Sequence, residues 1–254
     1  MNVIKNKKNI YGVDWDFYIK NGYYLIKEIF DKNFLKIIKS HFIEIYEQEN
    51  GKCSQHQLLK NDVFLNLIEY PNILNPMKFI FGSQIQLLQY DLLYQPPQNN
   101  GPFRNWHRDL SFPGQFPLST NCIIYLEDMD EDIGPTYVVP GTHIGWLPEI
   151  KRKQKNVKLK KEIAINANAG DMAIINSSIL HSGSINKSKN KHRRNIYIYY
   201  GYWWLKRYKS ELKLPWQCFN KASQQRLQLL GIKSPENADL HIYEPDSEII
   251  KFYN

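Results

Sequence analysis

The sequence predicts a mainly β protein with helices at its front, and two features of the chain support this prediction. From residue 84 onward, short runs of β-branched and aromatic residues recur between Gly, Pro and Asn residues. Before residue 84, apolar residues recur at helical spacing instead. Seven or eight short strands at such intervals are typical of a β-sandwich or a β-barrel. With 43% hydrophobic and 14% aromatic residues, the chain can bury a substantial core.

The front of the chain predicts two helical regions. The first covers residues 31–50, with Asp31 as a suitable N-cap. One stripe of this helix is apolar: Phe34, Ile37, Ile38, Phe42 and Ile45. The second covers residues 57–80, and we expect it to break near Pro71 and Pro76 because proline cannot donate a helix hydrogen bond.

The predicted strands share apolar, β-branched or aromatic content and are bounded by turn residues. They are residues 21–30 (a strand followed by a turn), 84–95, 120–129, 135–143, 161–167, 170–183 and 193–204. A helical stretch is expected near 220–230. We expect one domain over residues 1–254, with a helical front (1–83), a β core (84–204) and a C-terminal cover (205–254).

The net charge of +8 admits nucleic acid, a membrane surface or an anionic substrate as a partner. Lys, Asn and Ile are abundant throughout, so a general composition bias explains the charge as well. The basic segment 151–161 has no interleaved aromatic residues that could stack on bases, which favours a solvated loop. The acidic segment "EDMDEDIG" lacks the ligand pattern of a calcium loop, which favours a hairpin turn.

The cysteines and the N-terminus bear on location. The three cysteines are widely spaced and form no CxxC pair, which favours a reducing interior. The N-terminal segment has no apolar region typical of a secretory signal, and no segment is apolar over the length that spans a bilayer. We therefore expect a cytoplasmic protein that binds neither membrane nor nucleic acid.

The segment "NWHRDLSF" (105–112) places His107 and Asp109 two residues apart. On an extended strand this spacing puts both side chains on one face, where an imidazole and a carboxylate can bind a metal. A non-haem Fe(II) site uses two histidines and one carboxylate, so a second histidine must come from another strand. The pair alone is a weak motif, and a chance surface pair is the alternative.

His181 is the best candidate for the second histidine. It closes an apolar run and opens a Ser/Gly turn, where a β-body exposes side chains. The other histidines are better explained by a helix, a turn or the tail: His41, His56, His143 and His241. Arg193 begins the next predicted strand, and its guanidinium could bind a carboxylate with two hydrogen bonds.

Four motifs follow one another between Gln84 and Trp204. They are HxD at His107 and Asp109, "IGPTYVVPGTHIG" (133–145), "GDMAIINSSILHSGSINKS" (170–188) and "RRNIYIYY" (193–200). In this order the chain resembles the phytanoyl-CoA dioxygenase family of Fe(II)/2-oxoglutarate oxygenases. The segment around "GP…VPGTH" and the "GD" that precedes the run to His181 are the more specific parts of the resemblance.

The resemblance implies a double-stranded β-helix, also called a jelly roll or cupin-like core, with the N-terminal helices packed outside. It implies Fe(II) held by His107, Asp109 and His181, with 2-oxoglutarate and O2 as cosubstrates. It implies that an arginine binds the distal carboxylate of 2-oxoglutarate. Arg193 is the better match and Arg194 the alternative, since alternation along a strand lets only one of them point inward.

Two further positions follow from the resemblance. Gln89 matches a position that often contacts 2-oxoglutarate in the family. Relatives often carry a serine two residues after the distal histidine, but this chain has Gly183 there, between Ser182 and Ser184. This departure leaves the hydroxyl contact open, and it does not affect the arginine.

The activity implied is hydroxylation of an unactivated C–H bond of a small organic molecule, with decarboxylation of 2-oxoglutarate to succinate. Desaturation, epoxidation and ring closure are alternatives at the same iron. Asp109 favours hydroxylation over halogenation, because related halogenases carry a small residue in its place. Trp106 and Arg108 are candidates for substrate contact, with packing as the alternative. Two other functions stay open: an oxygenase of a protein or nucleic-acid residue, and a non-catalytic β-barrel binding module. We expect a monomer.

Overall fold

The computed structural model describes most of the chain in two compact units. The described residues are 10–48, 53–110, 112–114, 116–145, 154–205, 214–235 and 248–249, so His241 lies outside them. The first unit consists of Met1–Asp31 and Leu93–Ile196, and the second of Lys32–Leu92 and Tyr197–Asn254. The expected division into a helical front, a β core and a C-terminal cover stays a prediction.

The described residues form ten strands and six α-helices. The strands are β1 (Tyr23–Ile26), β2 (Ile85–Gln95), β3 (Asn105–Trp106), β4 (Ser119–Tyr125), β5 (Thr136–Val138), β6 (Gln154–Lys155), β7 (Ile163–Ile165), β8 (Met172–Asn176), β9 (His181–Ser182) and β10 (Arg193–Tyr202). The helices are α1 (Trp15–Asn21), α2 (Lys32–Gln48), α3 (Gln55–Lys60), α4 (Asp62–Leu67), α5 (Pro71–Phe81) and α6 (Gln224–Leu229). None of these helices has the length and apolar character that crossing a bilayer requires.

The larger sheet has the strand order β1-β8-β4-β10-β2. Its central strands β4 and β8 are antiparallel, with Cys122 opposite Ile174, and every residue of both strands is buried. The last two strands, β10 and β2, each continue from one unit into the other. The buried strands β4 and β8 of this sheet belong to the core of the first unit.

A second, smaller sheet has the order β7-β5-β9, and it carries His181 opposite Val138. A buried hydrogen bond connects the two sheets, because the hydroxyl of Tyr125 on β4 donates to the hydroxyl of Thr136 on β5 at 3.1 Å. Strands β3 and β6 form a separate antiparallel pair. The predicted mainly β fold with flanking helices is therefore confirmed.

The predicted strand over residues 170–183 is wrong in one respect. The chain leaves the larger sheet after Asn176 and enters the smaller one at His181. The reason is a local turn, in which the side chain of Asn176 accepts from the backbone N–H of Ser178 and its backbone carbonyl accepts from Ile179. Asparagine favours such turns because its side chain can replace a backbone acceptor.

Both predicted helical regions are present, and they differ from the prediction at Ile37 in the apolar stripe and at Pro76. Ile38, Phe42 and Ile45 of α2 are buried, whereas Ile37 is exposed. Pro71 begins α5, where its missing N–H costs no hydrogen bond. Pro76 lies inside α5 and does not break it, because the helix is held by buried apolar side chains on both sides of the proline.

The second unit is held partly by buried tyrosines. The hydroxyl of Tyr90 on β2 donates to the carbonyl of Phe64, and that of Tyr200 on β10 donates to the carbonyl of Ile68. Both carbonyls belong to α4 or its C-terminal end. These bonds satisfy polar atoms that burial would otherwise leave unpaired.

Gly134 is required by a close backbone contact, and this gives the first prediction. Its φ is +90°, and a Cβ added there would lie 2.4 Å from the carbonyl oxygen of Ile185. We expect Gly134→Ala to lower the free energy of unfolding by about 1–3 kcal/mol, because neither the backbone angle nor the contact can be kept without strain. Chemical denaturation measures the change.

Gly183→Ala is the matched control for Gly134→Ala. A Cβ at Gly183 would meet no atom within 4 Å, and this glycine does not have a left-handed φ. The stability of this variant should equal or slightly exceed that of the wild type. Equal losses in the two variants would contradict the assignment of a special role to Gly134.

Candidate metal centre and active site

His107, Asp109 and His181 form a compact cluster. Their potential ligand atoms all lie within 4.8 Å of one another. The Nε2 atoms of His107 and His181 are each 3.5 Å from the same carboxylate oxygen of Asp109. Two imidazoles and one carboxylate in this arrangement match the donor set of a non-haem Fe(II) site. The structure thus brings together the three residues that the sequence singled out.

Two reciprocal backbone hydrogen bonds hold the histidines side by side. The N–H of His107 donates to the carbonyl of His181 at 2.9 Å, and the N–H of His181 donates back at 3.0 Å. This isolated antiparallel bridge brings the ring centroids to 4.3 Å. Because the bridge involves backbone atoms alone, it sets the spacing of the two residues without any ligand.

The tautomers of both histidines follow from their Nδ1 partners. Nδ1 of His107 lies 2.7 Å from the carbonyl of Asn105, and Nδ1 of His181 lies 3.1 Å from the carbonyl of Ile179. A carbonyl only accepts, so each Nδ1 carries the proton and each Nε2 carries the free lone pair. The lone pairs are therefore on the side of the carboxylate of Asp109, as metal ligation requires.

Asp109 reaches the cluster by a different route from the one predicted. The spacing of His107 and Asp109 predicted that both lie on one face of an extended strand. In the structure β3 ends at Trp106 and Asp109 lies in a bend. The pairing with His181 is limited to a single bridge at His107. Beyond this bridge the backbone N–H of Leu110 donates to the carbonyl of Ser177, which holds the chain in the bend. The premise of an extended strand was wrong, although the two side chains do converge.

The protonation states of the cluster suit a metal. Burial alone would raise the pKa of Asp109, but His181, His107 and Asn121 together lower it below its usual value. Burial lowers the pKa of His181, and the opposing effect of the Asp109 charge does not offset it. A carboxylate anion and a neutral imidazole are the forms that ligate a cation.

The two arginines of β10 lie in different surroundings. Arg193 is fully buried, and its Nη1 donates to the side-chain oxygen of Gln95 at 3.1 Å. Its Nε and Nη2 have no partner. Arg194 is partly exposed and forms an ion pair with Glu127. Arg194 thus has one buried nitrogen without a partner, its Nε, whereas Arg193 is fully buried and has two.

Gln89 and Ser182 form hydrogen bonds with other protein groups. The side-chain amide of Gln89, in the part of β2 that belongs to the second unit, donates to Asp91. The hydroxyl of Ser182 accepts from the backbone N–H of Asn105 and donates to the carbonyl of Gly183, each at 2.6 Å. A contact of Gln89 with 2-oxoglutarate stays a prediction.

Trp106 is explained by packing. It is fully buried with Val139 and Leu180, and its indole N–H donates to the carbonyl of Val157 at 2.7 Å. Every part of the side chain thus has a protein neighbour. The geometry favours the packing alternative over contact with a substrate.

Arg108 ties two loops together. Its guanidinium donates to the backbone carbonyls of Thr142 and Ser178. The carbonyl of Thr142 lies in the "PGTH" loop, and that of Ser178 lies in the turn before His181. Arg108 therefore braces the backbone on one side of the cluster, and contact with a substrate stays a prediction.

Two residues of the site were not anticipated from the sequence. Asn121 donates its amide to Asp109 at 3.4 Å, and Gln95 orients Arg193. A signal existed for Asn121, since it is a polar residue within the buried run "STNCIIY" of β4. No sequence signal connects Gln95 with an arginine 98 residues further along the chain.

The sequence profile of the family described as phytanoyl-CoA dioxygenase (PhyH) matches residues 21–195. The chain belongs to the phytanoyl-CoA dioxygenase family. The predicted resemblance is thereby confirmed. The match includes all three clustered residues as well as Arg193 and Arg194. No curated protein sequence matches the chain significantly.

Solved structures of low sequence identity share the fold of this family member. HygX from Streptomyces hygroscopicus, solved with nickel and 2-oxoglutarate, has 15% identity and a TM-score of 0.63 over 78% of this chain and 88% of its own. The carbocyclase SnoK from nogalamycin biosynthesis has 17% identity and a TM-score of 0.61 over 79% and 84%. The epimerase SnoN was solved in complex with Fe3+, alpha-ketoglutarate and nogalamycin RO. It has 17% identity and a TM-score of 0.58 over 74% of this chain and 81% of its own. These likenesses confirm the jelly-roll core.

The bracing role of Arg108 gives the second prediction. We expect Arg108→Met to lower the melting temperature by several degrees, because two partly buried carbonyls lose a charged donor while the aliphatic packing is kept. Differential scanning calorimetry measures the change. An unchanged melting temperature combined with a raised KM for the substrate would instead support the substrate contact.

Proposed function

We propose that this member of the phytanoyl-CoA dioxygenase family is an Fe(II)/2-oxoglutarate-dependent oxygenase that hydroxylates an unactivated C–H bond of a small organic molecule. The observation that carries the proposal is the convergence of His107, Asp109 and His181, with both Nε2 atoms 3.5 Å from one carboxylate oxygen. Family membership and this cluster support iron and 2-oxoglutarate as cofactors, with O2 as the oxidant.

The proposed ligands leave room for the cosubstrates. His107, Asp109 and His181 would hold the iron, and this donor set would leave positions open for 2-oxoglutarate and O2. When bound, iron and 2-oxoglutarate supply the oxidising chemistry, in which 2-oxoglutarate and O2 give succinate, carbon dioxide and one oxygen atom for the substrate. The protein binds and orients these groups and keeps His107 and His181 in the required tautomer.

Arg193 is the proposed partner of the distal carboxylate of 2-oxoglutarate. Its Nε and Nη2 are buried without a partner, which is unfavourable for a charged group unless a ligand completes it. These two N–H groups lie side by side on one edge of the guanidinium, which is the geometry that binds a carboxylate with two hydrogen bonds. Arg194 differs in that its Nη2 already pairs with Glu127, which leaves only its Nε buried without a partner.

Hydroxylation of a small molecule is the outcome that the site supports best. Related halogenases carry a small residue at the position of Asp109. The carboxylate of Asp109 therefore favours hydroxylation over halogenation. SnoN and SnoK act as an epimerase and a carbocyclase in nogalamycin biosynthesis, so a small natural product is a fitting substrate class for this chain as well. The convergence of three potential iron ligands favours an enzyme over a non-catalytic binding module.

We further propose a monomer in a reducing compartment, with the cytoplasm as the natural location. None of the three cysteines, Cys53, Cys122 and Cys218, forms a disulfide bond, as expected in a reducing compartment. The proposed partner is the small substrate, with neither nucleic acid nor membrane involved.

Anaerobic reconstitution with Fe(II) and 2-oxoglutarate tests the function, and this is the third prediction. The wild type should show the weak visible absorption band of an Fe(II)–2-oxoglutarate chelate, and His181→Ala should lose it. His41→Ala, on the partly exposed face of α2, is the matched control and should keep the band. A wild type that shows no band and retains no metal would contradict the proposal and favour a binding module.

The paired arginines give the fourth prediction. We expect Arg193→Leu to weaken 2-oxoglutarate binding at least about 30-fold, because the variant removes a buried partner of the distal carboxylate. Arg194→Leu should leave the affinity near that of the wild type, since its guanidinium pairs with Glu127. Isothermal titration calorimetry with Mn(II) in place of iron measures both. The opposite order of effects would assign the role to Arg194.

A further inference from the structure

Asn195 is a buried amide that the protein itself leaves unsatisfied. Its exposed fraction is 0%, and neither Nδ2 nor Oδ1 has a hydrogen-bond partner. Among the described residues it is the one buried side-chain amide with both of its polar atoms unpaired. Buried polar groups are nearly always hydrogen-bonded, so an exception of this kind points to a missing partner.

The strand pairing shows which way Asn195 faces. The strands β4 and β10 are neighbours, and neighbouring strands of a jelly roll are antiparallel. The N–H of Leu126 donates to the carbonyl of Arg194 at 3.1 Å, and with antiparallel pairing this bond places Tyr125 directly opposite Asn195. Side chains that are opposite in register lie on the same face of a sheet. The hydroxyl of Tyr125 reaches Thr136 in the smaller sheet, so Asn195 also faces that sheet.

The face of Asn195 is the face of the proposed cosubstrate site. Arg193 lies two residues earlier on the same strand and so projects to the same side. The smaller sheet, toward which both residues project, carries His181 on β9. Two adjacent inward positions of one strand thus present four unpaired buried atoms, namely Nε and Nη2 of Arg193 and Nδ2 and Oδ1 of Asn195.

Local structure gives no reason for asparagine at this position. Asparagine is disfavoured in strands, whereas its buried neighbours on β10 include Ile196 and Ile198. An aliphatic residue of similar volume would avoid the cost of desolvating the amide. The amide is therefore better explained by a ligand than by packing.

We propose that Asn195 binds the distal carboxylate of 2-oxoglutarate together with Arg193. A carboxylate has about four acceptor sites, so it can accept two hydrogen bonds from Nε and Nη2 of Arg193 and a third from Nδ2 of Asn195. Gln95 occupies Nη1 of Arg193 and so directs the other edge of the guanidinium to the ligand. The proposal rests on the proposed function and adds to it a residue that recognises the cosubstrate.

Asn195→Leu separates ligand binding from packing, and this is the fifth prediction. Leucine keeps the volume and removes both unpaired atoms, so the melting temperature of the ligand-free protein should stay the same or rise. The affinity for 2-oxoglutarate should fall about tenfold, as expected for the loss of a hydrogen bond to a charged group. Calorimetric titration of Mn(II)-loaded protein measures the affinity without relying on turnover.

Oxalate identifies the end of the ligand that Asn195 contacts. It can chelate the metal but has no distal carboxylate, so its affinity should be equal in the wild type and in Asn195→Leu. Ile196→Leu, on the opposite face of β10, is the matched control and should change neither affinity. If Asn195→Leu does not fold, Asn195→Ala takes its place in the same titrations.

The outcomes distinguish this proposal from the proposed function. A wild type that binds no 2-oxoglutarate overturns both. Tight binding in the wild type with an unchanged affinity in Asn195→Leu overturns only the role of Asn195, and a buried water would then satisfy the amide. Equal losses for oxalate and 2-oxoglutarate also overturn it, because they would indicate damage to the metal site.

Discussion

The backbone bridge between His107 and His181 is the constraint on which the site depends. Two hydrogen bonds of 2.9 and 3.0 Å join segments that lie 74 residues apart in the chain. The bridge lies at the edge of the smaller sheet, so the apolar packing of that sheet holds it in place. The bridge brings the two backbones together and a carbonyl orients each Nδ1, so the Nε2 atoms of both histidines converge on Asp109.

The interior of the first unit is more polar than folding alone requires. Arg193 and Asn195 are buried with unpaired atoms, and Asn121 satisfies only its donor, with Asp109. Each unpaired atom lowers the stability of the ligand-free protein, so their presence on neighbouring strands calls for a common reason. The proposed dicarboxylic cosubstrate would supply it, since a ligand that binds only the folded state stabilises the protein by an amount that grows with the logarithm of the ligand concentration.

The sequence predicted the fold class and the three clustered residues because both depend on short-range patterns. Strands were recognised from apolar runs, and His181 from the turn that follows one. The prediction failed where tertiary contacts override local patterns. Pro76 stays inside α5 because buried neighbours hold the helix, and Asp109 lies in a bend because the bridge at His107 ends the strand.

Long-range hydrogen bonds account for the rest of what the sequence could not reveal. Gln95 and Arg193 meet across two strands, and Arg108 reaches carbonyls in two loops that are distant from it in the chain. Such pairings depend on strand register, which a single sequence does not specify. Register also decides between Arg193 and Arg194, because a shift of one residue would exchange the buried guanidinium for the one that pairs with Glu127. The pairing of β10 therefore decides which of the two arginines is buried, and with it the residue that we propose as the partner of the cosubstrate.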